Sequence, residues 1–360
     1  MGRPERIALC TEIEAHRKRP MIAYFTSKRP GSPPSSMASD AIPAIIEQLD
    51  ALPAGTELDF MIGSLGGDPM MAWRIISLIR ARGYRVSSLI PQSAWSAATL
   101  FAIGTEQIMM HPNANLGPID MQITTYGDNG PTREFSTEEL TAFLNFIREK
   151  LKITEQEHVR ILFENICKEV GSLGIGFIAR SSNLAADLSR RLLGLHIKEE
   201  QRINFIVSSF EKFQDHAYPI SRDEAKEMGL PIGEPDKTLE DLIWKLWLDV
   251  ELEFKERIPF SAMSEILSSQ EGKKLLSGVP MLALPANMQG TPSYQTTLQD
   301  AVSMAKETIE PVDFEVKNAM VESARICHVS ETKGKILAWR TPDLSISWNA
   351  LPFSRVWNKV

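Results

Sequence analysis

The alternation of strand and helix over the first 120 residues constrains this chain more than any other feature. Short apolar runs at 21–27, 58–64, 85–91 and 106–112 are bounded by polar or turn residues, as buried strands are. Between them, 41–52 and 69–83 carry apolar residues at helical spacing, and 93–104 is a helix opening on small residues. In the second, Met70, Met71, Ile75, Ile76, Leu78 and Ile79 face inward and Gly83 ends the helix. A charged helix over 5–19 precedes the first strand. This order predicts a parallel sheet covered by helices, an α/β fold. Ligands of such folds bind beyond the carboxyl ends of the strands. Two turns lie there, Gly66-Gly67 and the stretch 93–96.

The rest of the chain is organised differently. From 136 to 213 it reads as almost wholly helical, with a capping box of Ser136 and Glu139 at its start. An amphipathic helix follows Glu234, then a proline-punctuated loop over 280–292. The tail alternates in SARICHVS and KILAWRT, with Lys333-Gly334 between them as a hairpin turn. The 360 residues suffice for one large domain with an appendage, here 1–233 and 234–360. The net charge of −7 gives no basic field for nucleic acid, so no such partner is expected. The longest apolar stretch, near 96–110, is interrupted by Thr99, Gly104, Thr105, Glu106 and Gln107. No transmembrane segment is expected. Cys10, Cys167 and Cys327 form no metal or redox motif. They read as inert thiols of a cytoplasmic protein, and no metal or cofactor is expected.

Gly66-Gly67 follows a strand and precedes a helix. Such a turn can aim backbone N–H groups at an anion or oxyanion, or can simply need positive φ. GSLGGD fits neither a dinucleotide fingerprint nor a phosphate loop. Ser96, in SAWSAAT, opens a helix after a strand, where a hydroxyl is either an N-cap or an exposed nucleophile. Ala94, Ala97 and Ala98 leave room for a substrate backbone, and Ser93 is free to serve as the cap.

Together these strings resemble a known family. MIGSLGGDPMMAWRI, IPQSAWSAATLFAIGTEQIMMHP, NLGPIDMQ and DHAYPISRDEAKEMGL are similar to the serine dehydrogenase proteinase family of the Clp protease/crotonase-like superfamily. The similarity covers residues 5–233, most strongly 58–122 and 213–233. It implies a Clp/crotonase-like ββα superhelix, with 136–212 as a long helical insertion and 234–360 as a smaller α+β extension. It implies a serine endopeptidase acting through an acyl-enzyme on Ser96, with Gly67 and Ala97 as oxyanion donors. A peptide or protein substrate would lie extended past Gly66, Leu116 and Gly117. A homo-oligomer is expected as well, with Phe143, Phe146 and Ile147 as apolar surface on the helical segment. No dehydrogenase chemistry is inferred.

The general base is less direct. Serine needs one in reach. Relatives of the signal-peptide-peptidase type use lysine, but none occurs between Lys28 and Lys150, and Lys150 and Lys152 sit on a charged helix. Of six histidines, His16, His158 and His196 lie in charged helical surroundings and His328 in the tail. His216 falls where the superfamily carries its third triad residue, and Asp120 where it carries its histidine. The two roles would then be exchanged, His216 as base and Asp120 as orienting acid, which triad geometry permits. His111, at the end of a strand, is the rival base, and a site without a base is the third reading. A crotonase-type acyl-CoA enzyme and a non-catalytic oligomeric scaffold are the competing functions.

Overall fold

The computed structural model describes residues 2–52, 57–119, 122–125, 133–136, 142–143, 145–170, 172–210, 212–213, 215, 217–277, 295–296, 308–341 and 345–360. The chain divides into two compact units. The first comprises Met1–Thr26, Ser36–Asp249 and Val321–Cys327, the second Ser27–Ser35, Val250–Met320 and His328–Val360. The protein is α/β, with a large sheet and many helices.

In the first unit the alternation is as the sequence implies. Helix α1 (Arg3–Arg17) leads to β1 (Met21–Thr26), α2 (Ile42–Asp50), β2 (Glu57–Gly63) and α3 (Pro69–Ala81). Then come β3 (Arg85–Ile90), the short β4 (Ser93–Ala94), α4 (Ala97–Ile103), β5 (Gln107–Met110) and β6 (Asn115–Leu116). Strands pair in the order β10-β5-β3-β2-β1, where β10 is Ile232–Gly233, and each of these neighbours is parallel. All six residues of β1 are buried. That is the mark of a parallel strand covered on both faces, and it explains an apolar run without alternation. Phe60 of β2 packs on Phe101 of α4 with ring centroids 4.7 Å apart. Every residue of α4 is buried.

Buried charge fixes α1 within this unit. Arg6, 2% exposed, bonds to Glu322 at 2.6 Å and to Asp249 at 2.9 Å. Gln48 of α2 donates to the carbonyls of Val321 and Ile326. Strands β7 (Gln122–Thr125) and β8 (Arg133–Ser136) form an antiparallel pair. Helices Gln156–Val170, Ser172–Leu193 and Glu200–Phe210 then make up the expected helical segment. The proposed capping partner Glu139 lies outside the described residues. Among the described residues no helix is long and apolar enough to cross a membrane.

The second unit contains most of β11 (Val312–Glu322, through Met320) and of β12 (Cys327–Arg340, from His328) and all of β13 (Ile346–Lys359), with β13 antiparallel to β12. Ile266 of helix Ala262–Ser268 packs with Phe314, Val316 and Ile336. Lys333-Gly334 is not a hairpin turn but a register shift inside the single long strand β12. A Cβ on Gly334 would stand 2.4 Å from the Leu351 carbonyl and 2.6 Å from the Phe314 ring. The glycine thus permits close backbone approach within a strand, which in sequence looks like a turn signal. The reversal falls at Ser323, whose N–H donates to Ile326 O. The expected loop at 280–292 lies outside the described residues.

Candidate active site

The site is built where β2 and β3 end. Past Gly63 the chain continues through Ser64 into the turn of Gly66 (φ 107°) and Gly67 (φ 144°). Asp68 then caps α3, its carboxylate accepting from the Met70 N–H at 2.9 Å. Both glycines have a physical reason. A Cβ on Gly66 would stand 2.7 Å from Ser96 Cβ and 2.8 Å from the Trp95 carbonyl. A Cβ on Gly67 would meet the Met37 backbone at 2.4 Å. Met37 bridges this turn, donating its N–H to Gly66 O and accepting from Asp68 N–H.

Ser96 sits at the strand-to-helix junction with φ 51° and ψ −116°. L-residues rarely adopt this backbone, and holding one there costs roughly 1–3 kcal/mol. Such a conformation persists only if its surroundings over-determine it. They do. Ser64 N–H donates to Ser93 O, and Trp95 N–H donates to Ser64 O, at 3.1 and 3.0 Å. The Trp95 indole N–H donates to Asn115 Oδ1 at 2.5 Å, and its ring covers Gly117. On the helix side, Ala98 N–H reaches Trp95 O and Leu100 N–H reaches Ser96 O, both at 2.9 Å. The small side chains Ala94 and Ala98, both fully buried, let the turn be this sharp. Ser96 occupies the N-cap position, yet its hydroxyl makes no capping bond, and among the described residues Oγ has no partner. Ser93 is not the cap either: it belongs to β4, and its hydroxyl donates to the Gln92 side chain at 2.7 Å.

The sequence-derived residues fall into three groups. Ser96, Gly66, Gly67 and Ala97 come together at this elbow. Leu116 and Gly117 lie beside it. Leu116 is fully buried in β6, between β4 and β9 (Ile220–Ser221). The Gly117 N–H and carbonyl are engaged with Ala94 and Thr99. Asp120 and His216 lie outside the described residues. Among the other histidines, His111 stacks on Trp244 with centroids 4.7 Å apart, and its Nδ1 accepts from the Asn113 N–H. Burial holds its pKa below the usual histidine value. His196 bonds to Ile103 O and is likewise lowered by burial, so it is not the solvated side chain its charged surroundings suggest. His16 pairs with Asp236 at 2.9 Å. Burial pushes the Cys327 thiol up to about 12 and raises that of Cys10 also, in keeping with inert thiols.

Sequence reasoning missed two residues, Ser64 and Thr99. Each is a fully buried hydroxyl in an apolar setting, Ser64 two positions before Gly66 and Thr99 three after Ser96. That pairing of hydroxyl with site residue is the signal that could have found them.

No protein-family model matches the chain. An uncharacterized protein of Methanocaldococcus jannaschii is 26% identical over 188 residues, 52% of this chain and 57% of that protein. A second uncharacterized protein of the same organism is 28% identical over 82 residues, 23% of this chain and 28% of that protein. The chain thus spans little more than half the length of the first relative and less of the second. Among solved structures, ClpP1 from Listeria monocytogenes is similar over 66% of this chain and 98% of its own, at 13% identity and a TM-score of 0.33.

Proposed function

We propose that this chain is a serine peptidase of Clp/crotonase-like architecture, related to the serine dehydrogenase proteinases, with Ser96 as nucleophile. The observation that carries the reading is the strained elbow at Ser96 with an uncapped hydroxyl, packed directly against Gly66. A strand–elbow–helix turn of this kind presents a serine Oγ to substrate. In the reaction, Oγ attacks a peptide carbonyl and the developing oxyanion is met by the N–H groups of Gly67 and Ala97. The leaving amine departs with a proton, and water then releases the acyl group from Ser96. The peptide lies extended past Gly66; Leu116, buried in β6, and Gly117, whose N–H and carbonyl are already bonded, back this path rather than bond to the peptide.

The base in this reading is His216, with Asp120 orienting it. Register supports the choice. In the small sheet β4-β6-β9, Ala94 pairs with Leu116 and Leu116 with Ile220. From that row the chain runs forward two residues to Ser96, forward four to Asp120 and, because β9 is antiparallel, backward four to His216. The described stretches 95–96, 117–119 and 217–219 therefore leave the ladder at one end.

The test is labelling by a fluorophosphonate probe, read alongside peptide hydrolysis. Wild type should be modified at Ser96. Ser96→Ala should fold, resist the probe and lose hydrolysis by on the order of 10⁶. Retention of half the activity by Ser96→Ala would remove the assignment. A protein that ignores the probe but binds acyl-CoA in calorimetry would be a crotonase-type enzyme, and one that does neither a scaffold.

A further inference from the structure

The two hydroxyls that the sequence did not single out lace the elbow together. Ser64 is the residue at which the two halves of the site meet. Its backbone N–H and carbonyl are taken by Ser93 and Trp95, which lead into Ser96. Its side chain turns to the other half: Oγ accepts from the Gly66 N–H at 3.1 Å and lies 2.7 Å from the hydroxyl of Thr26, itself buried. Without that oxygen the Gly66 N–H would be buried with no acceptor, an expensive state.

Thr99 plays the matching part on the helix side. Its Oγ1 lies 2.7 Å from Ala94 O and 2.9 Å from Gly117 O, and accepts from the Gly117 N–H at 3.3 Å. One hydroxyl proton is thus shared between two carbonyls while the oxygen takes a third bond. The chain between Ala94 and Thr99 is the elbow itself, so the bond to Ala94 O closes a ring around Ser96. The bond to Gly117 ties that ring to β6.

We propose that Ser64 and Thr99 are positioning residues: Ser64 sets the glycine turn against the elbow, and Thr99 locks the backbone angle at which Ser96 presents its hydroxyl. The proposal rests on the peptidase reading. Neither hydroxyl bonds to Ser96 Oγ among the described residues. Both act on the geometry of attack, and displacement of a reacting group by about 1 Å can cost 10²-fold in rate. Their loss should therefore lower kcat and leave KM near the wild-type value.

The experiment compares wild type with Thr99→Val, Thr99→Ser and Ser64→Ala in steady-state hydrolysis and in the rate of fluorophosphonate labelling at Ser96. Near-UV circular dichroism reports folding. In Thr99→Val, of nearly the same shape, kcat and the labelling rate should fall together by on the order of 10- to 100-fold. Thr99→Ser, which keeps the hydroxyl, should recover most of both, and Ser64→Ala should behave as Thr99→Val does. Should Thr99→Val not fold, Thr99→Cys keeps the volume and weakens the hydrogen bonds, and carries the same comparison. A folded Thr99→Val that labels at the wild-type rate overturns the proposal, as does a Thr99→Ser as slow as Thr99→Val. A wild type that resists the probe removes the peptidase reading and this proposal with it.

Discussion

Ser96 holds a backbone angle that glycine would adopt without strain, and that fact separates two ways of removing the hydroxyl. Ser96→Ala keeps the Cβ and with it the strain of φ 51° and the close packing on Gly66. Ser96→Gly relieves both but adds freedom to the unfolded chain, a cost of about 0.4–1 kcal/mol against a strain of roughly 1–3 kcal/mol. Both variants should be inactive, and in urea the glycine variant should be the more stable by about 1 kcal/mol. Equal midpoints would mean that the elbow stores no strain. A serine at a strand-to-helix junction was legible in the sequence. Its angle was not, because φ at one residue is set by bonds from Ser64, Asn115 and Leu100, up to 32 positions away.

Among the elements, α1 depends on a buried ion cluster for its place in the first unit. Arg6→Met would leave the Glu322 and Asp249 carboxylates buried without that guanidinium, a loss of about 3–5 kcal/mol. Burial already raises the Glu322 pKa above 4.5, so the native state holds its proton more readily than the unfolded state does. The native state then binds more protons across the window from the ordinary glutamate value up to the raised one. Stability falls as pH rises through it. With the cation gone the window widens, so the deficit of Arg6→Met should be smaller in acidic than in neutral buffer. A urea titration showing the reverse would refute this. If His216 is the base, hydrolysis should rise with pH through an apparent pKa of roughly 6–7, as neutral imidazole forms. His216→Ala should match Ser96→Ala in activity. His111→Ala should keep most activity, because that ring is occupied with Trp244 and the Asn113 N–H. A dead His111→Ala beside a normal His216→Ala would reverse the assignment.

For the whole molecule the open surface of the helical segment matters most. Phe146 is 52% exposed and Ile161 44%, with Phe143, Leu151 and Phe163 exposed nearby, whereas Ile147 is buried. Large apolar side chains on amphipathic helices ordinarily meet a partner. We expect a homo-oligomer, and multi-angle light scattering at micromolar concentration should give a multiple of 40.3 kDa. A stable monomer would count against it. Charge substitutions at Phe146 and Ile161 should shift the assembly toward monomer.

What the sequence determined by itself was the order of strand and helix through β5, the parallel sheet and the pair of turns at its carboxyl end. These follow from local patterns: an unbroken apolar run is a covered strand, and periods of three and four are a helix face. In sequence the long strand β12 looks like a hairpin because a glycine allows a turn and a close approach equally, and only the Leu351 carbonyl and Phe314 ring opposite Gly334 decide which. Tertiary structure alone also decided how the elbow is held. Ser64 and Thr99 look like ordinary polar residues until Thr26, Gly66, Ala94 and Gly117 are brought around them, since a hydrogen bond between distant residues leaves no period in the sequence.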